Sequence, residues 1–127
     1  MPITIRWDDE LSRTILVKFP MRWTWEDYQL AIDEGISKFS NIEGRIDQLI
    51  DMTDTMMLPR GAASTHLSRG HQIDIPRDGG ITVYAGNPNF IRQMLKMFMM
   101  NVSETSPNLV QTVEEARQRI QQHRTGS

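Results

Sequence analysis

The stretch Asp51-Met52-Thr53-Asp54-Thr55-Met56-Met57-Leu58-Pro59-Arg60-Gly61 concentrates the side chains of this chain that can do chemistry. An aspartate near a bound anion can move protons if its pKa is displaced. Arg60 can grip a carboxylate or phosphate through two parallel hydrogen bonds. Asn87-Pro88 adds the start of a helix, whose free backbone N–H groups suit the same kind of anion. Asp51, Thr53, Arg60, Gly61 and Asn87 therefore form a candidate functional edge. The plain alternative is that Asn87 and Thr24 only cap helices and Asp51 only braces its loop. Thr53, Thr55, Ser64 and Thr65 can accept a phosphate that Arg60 or Arg69 would pair with, or can be ordinary loop hydroxyls.

Several chemistries are excluded by what is missing. There is no cysteine, which removes thiol catalysis, disulfides and thiolate zinc sites and fits a reducing, cytoplasmic setting. His66, His71 and His123 have no metal-binding spacing. Asp78-Gly79-Gly80 precedes a strand rather than a helix, so it is not a phosphate loop. A phospho-receiver would need acids after the first parallel strand, whereas Asp8-Asp9 stand in a hairpin turn. A net charge of -2 argues against a nucleic-acid footprint. The N-terminus alternates rather than running apolar, and no segment approaches the ~20 apolar residues of a membrane span.

The apolar residues offer a different chemistry. At about 100° per residue, Phe90, Ile91, Met94, Leu95 and Phe98 make a core stripe; Met97 and Met99 widen it, and Met100 falls outside. Methionine adapts to irregular or exchangeable surfaces. Met56, Met57, Leu58, Met97 and Met100 are thus candidates for hydrophobic recognition of a second copy, another protein or an apolar ligand. A deep core helix with methionines filling gaps is the competing reading.

The elements that must position these residues are legible from periodicity. Ile3, Ile5 and Trp7 alternate as a strand, and Thr14–Phe19 makes a second one close enough for an antiparallel hairpin. Thr24 and Asp27 form a variant capping box, with Trp23 and Tyr28 as its hydrophobic staple. Trp25, Tyr28, Ile32, Ile36 and Phe39 carry that helix to about Ser40, with Leu30 turned away. Ile46–Met52 is the third strand, Gly61–Ser68 a short second helix with Ala62, Ala63 and Leu67 inward, and Ile81–Ala85 the fourth strand. Asn87-Pro88 opens a helix reaching about Asn101. Leu109-Val110 is a short fifth strand, and Thr112-Val113-Glu114-Glu115 opens a last helix with Val113, Ala116 and Ile120 inward. Residues 121–127 read as a polar tail that frays. At 127 residues this is one domain, 1–120, without a linker or repeat. Its class is α/β, a mixed, mainly parallel sheet of about five strands with an N-terminal antiparallel hairpin and about four helices.

The opening hairpin, Trp23-Thr24-Trp25, the strand Leu49-Ile50-Asp51 with its loop, and the ending Thr112-Val113-Glu114-Glu115-Ala116-Arg117 resemble the STAS domain family. The nearer likeness is to its SpoIIAA-like bacterial branch, the anti-sigma-factor-antagonist-like proteins. That resemblance spans nearly the whole chain and is mostly architectural. It implies a regulatory domain switched by phosphorylation of a serine in an Asp-Ser-Ser-Gly turn. The corresponding stretch here is Leu58-Pro59-Arg60-Gly61, where only Gly61 carries over and the phosphoacceptor is missing. The first expectation is therefore a non-enzymatic STAS-like module that binds a protein partner, including itself as a homodimer. An alternative is a small carrier of an apolar or lipid-like ligand, lined by Met56, Met57, Leu58 and the Met-rich helix. An enzyme using Asp51 or Asp54 is the third. No cofactor is implied.

Overall fold

A computed structural model describes residues 2–62, 75–98, 100 and 106–126. The strands are β1 (Thr4–Trp7), β2 (Thr14–Lys18), β3 (Asp47–Asp51), β4 (Thr82–Ala85) and β5 (Leu109–Val110). The helices are α1 (Trp25–Phe39), α2 (Pro88–Met97) and α3 (Val113–Arg124). They form the expected α/β architecture, a five-stranded sheet in which β1 and β2 are antiparallel and every other pair is parallel. Three helices, rather than four, stand among the described residues. The expected helix Gly61–Ser68 lies outside them from Ala63 onward, as do Ser64, Thr65, His66, Arg69, His71 and Met99.

Capping works as its chemistry requires. The Thr24 hydroxyl accepts from Asp27 N at 3.1 Å while the Asp27 carboxylate accepts from Thr24 N at 2.9 Å. Asn87 Oδ1 accepts from Asn89 N and Phe90 N, and Thr112 Oγ1 from Glu115 N. The sequence stripe on α1 is shifted by a fraction of a turn. Ala31 and Gly35 are buried with Trp25 and Phe39, whereas Ile32 and Ile36 are only half-buried. α2 ends at Met97, one turn short of Asn101.

Strand order is sequential, β1-β2-β3-β4-β5. Right-handed crossovers between neighbouring parallel strands in such an order all pass over the same face. That face carries α1 and α2, with Ile5, Val17 and Ile50 aligned across β1, β2 and β3 beneath them. The opposite face is served by α3, whose Ala116 and Ile120 cover Leu16, Leu49 and Val83.

Two arginines fasten α3. Arg117 makes a bidentate pair with buried Asp8 at 2.8 and 3.0 Å and also reaches Glu10. Arg124, two turns on, bonds fully buried Asp47 at 2.9 Å, together with the Ser12 carbonyl and Thr14 Oγ1. The helix thus continues through Arg124, past the expected fraying point. The interaction that holds its end is between segments distant in sequence, which local polarity does not reveal.

Candidate functional site

At the expected edge, the contacts of the candidate residues are mostly local ones. Asp51 Oδ1 accepts from Thr53 N at 2.9 Å and Thr53 Oγ1 at 2.6 Å, so carboxylate and hydroxyl satisfy one another in a local turn. Asn87 is occupied as a cap. The Arg60 carbonyl accepts from Trp25 Nε1 at 2.7 Å, and Gly61 takes a positive φ of 91°. Thr55 Oγ1 bonds the Pro20 carbonyl, and Met56 N and Met57 N both donate to the Met21 carbonyl, stitching this loop to the one entering α1. Asp54 pairs with Lys18 at 3.6 Å. Open sheets bind ligands where strand order reverses and successive crossovers diverge to opposite faces; here the order never reverses.

The recognition residues divide into two groups. Met56 and Met57 are 65% and 56% exposed and stand beside Met21, itself 53% exposed. Leu58 and Met97 are half-buried and pack on the core, while Met100 is exposed. Through Met94 and Leu95 the Met-rich helix lines a cleft whose described lining residues do not include Met56, Met57 or Leu58.

A concave site lies elsewhere. α1 leans on β1 and α2 on β5, at opposite sides of one sheet face. Between them a cleft of about 410 Å³ opens over the middle strands. Its floor is Val17, Ile50, Gln48, Thr82 and Tyr84, and its walls include Ile32 and Tyr28 from α1, Met94 from α2, and Phe98 and Met100 just after it. Val17, Ile50 and Tyr84 stand in one cross-strand row, and Gln48 pairs with Thr82 in the neighbouring row. Thr82 Oγ1 donates to Gln48 Oε1 at 3.0 Å.

Aromatic packing fixes the wall on the α1 side. Tyr28 lies 5.0 Å from Phe98 and is backed by Phe19, Trp23 and Trp25. Burial pushes the Tyr28 phenol up to about 12, with the nearby Tyr84 phenol adding to the rise. Burial also raises Tyr84. Both therefore stay protonated at neutral pH.

Sequence reasoning anticipated the Met-rich helix as one wall of an apolar pocket and missed the floor. The available signal was polar Gln48 and Thr82 at helix-facing positions of middle parallel strands, which ordinarily read as continuous apolar runs. Among the described residues no cluster of three His, Asp or Glu side chains is arranged to hold a metal, and His123 Nε2 lies 3.1 Å from the Gly79 carbonyl oxygen. No described helix is long and apolar enough to cross a membrane. No protein-family model, curated protein or solved structure matches this chain.

Proposed function

We propose that this chain is a small, non-enzymatic, cytoplasmic binding module on a STAS-like scaffold, and that its cleft takes a compact apolar molecule. The carrying observation is the cleft between α1 and α2. At about 410 Å³ it has the size of small-molecule sites, and it combines mostly apolar walls with a few polar groups on its floor. The STAS-like reading is supported by the sequential mixed sheet with its opening hairpin. The missing phosphoacceptor beside Gly61 turns the function away from serine phosphorylation and toward binding.

Native mass spectrometry of protein purified from its own host tests this. A retained small-molecule adduct is expected, and Ile32→Trp, which fills the cleft from α1, should lose it while keeping the wild-type circular dichroism. Adduct-free protein that also shows no thermal shift with aliphatic compounds overturns the reading.

A second reading, partner binding or homodimerisation, is favoured by the exposed Met21, Met56 and Met57 grouped on two hydrogen-bonded loops. Sedimentation should then show a dimer that Met56→Lys/Met57→Lys converts to monomer. A wild-type monomer at every concentration removes the self-association.

A further inference from the structure

The cleft is not a plain hydrocarbon slot, because it presents polar hydrogens to whatever enters it. Tyr28 and Tyr84 both line it, and among the described residues no group accepts from either phenol, whose oxygens are not wholly removed from solvent. Gln48 is partly committed: its Oε1 accepts from Thr82, which leaves the two Nε2 hydrogens and a second lone pair on Oε1 as its remaining capacity. These three side chains come from α1, β3 and β4, so their convergence belongs to the tertiary fold and not to one local turn. All offer donors, and the Thr82 hydroxyl hydrogen is already used.

Resting on the binding function proposed above, we infer that the cleft selects apolar molecules carrying an uncharged acceptor oxygen, such as the carbonyl of an ester or ketone. A carbonyl accepts from a phenol and an amide without bringing a charge into an apolar site. A carboxylate accepts equally well, but it must shed its hydration, and no Lys, Arg or His stands among the described lining residues to neutralise it. A pure hydrocarbon leaves all three donors unpaired. An alcohol also finds an acceptor for its hydrogen, since Gln48 Oε1 keeps a second lone pair and each phenol oxygen can accept. Uncharged acceptor oxygens therefore suit the site better than a carboxylate or a hydrocarbon.

Titration of the ¹⁵N-labelled full chain with methyl decanoate, decanoate at pH 8 and decane separates these classes. Methyl decanoate should bind about tenfold more tightly than either of the others, the scale set by one or two net hydrogen bonds. One or two of Tyr28→Phe, Tyr84→Phe and Gln48→Leu should weaken the ester by about threefold each, and none should weaken decane. Equal or tighter binding of decanoate overturns the inference, as does wild-type ester affinity in all three variants. If decane binds in the cleft without any ester preference, only the selectivity fails. If none of the three probes perturbs cleft resonances, the binding function fails with it.

Discussion

Asp8 shows how much a single side chain can carry when its partner comes from the far end of the chain. Its carboxylate is almost fully removed from water, which by itself raises its pKa; the hydrogen bonds and charge of Arg117, with the N–H groups of Leu11 and Glu10, more than reverse this and leave it lowered. The same contacts raise Arg117. Because the folded state holds the Asp8 proton less tightly than the unfolded chain does, the contribution is complete above the ordinary value of 3.8 and is lost as pH falls through the lower folded value. Replacing Arg117 by Ala leaves that carboxylate buried and unpaired, and should cost about 3 kcal/mol at pH 7. Urea unfolding of wild type and Asp8→Asn between pH 6 and pH 2 provides the check: the difference in midpoint should be constant near neutrality and shrink at the acidic end. Nothing in Asp8-Asp9-Glu10 reveals this role, since a run of acids in a hairpin turn reads as solvated until α3 is laid against it.

Among the elements, those defined by their own sequence emerged well, and those defined by contacts did not. Thr24 with Asp27, Asn87 with Pro88, and Thr112 with Glu115 each announce a helix start through residues no more than three apart, and all three helices begin there. The orientation of α1 about its axis was less legible, because burial of Ala31 and Gly35 depends on where the sheet lies rather than on hydrophobicity. The β4–α2 junction is similarly non-local. Gly86 sits at φ 143°, and a Cβ there would lie 2.9 Å from the Met52 carbonyl oxygen. Gly86→Ala should therefore destabilise the fold by about 2 kcal/mol, combining backbone strain with a clash against β3's outgoing chain. Thermal unfolding reads this directly. A neutral result would mean that the junction can move away from Met52.

At the scale of the molecule, one sheet face is crowded by crossovers and the other rests on α3. Fold class, hairpin and strand directions followed from the alternation of strand and helix signals. The candidate site did not, because a cleft is space between elements and no residue pattern encodes the gap separating α1 from α2. Dependence on α3 gives a simple test. Ending the chain after Arg124 should change stability by less than about 0.5 kcal/mol. Ending it after Ile120 removes the Arg124–Asp47 pair, while Asp47 keeps Arg45 and the Ile81 N–H, and should cost about 2 kcal/mol, measured by the urea midpoint. Equal stability of the two truncations would reassign residues 121–124 to a dispensable tail. The sequential strand order also leaves two very different sheet margins. β5 is only two residues long, too short to template a strand from another molecule. β1 offers four residues and sits at the other margin, where Arg6 and its partner Asp9 place charge beside the open backbone. Strand-to-strand aggregation thus has one usable starting line, and the Arg6–Asp9 pair stands as its gatekeeper.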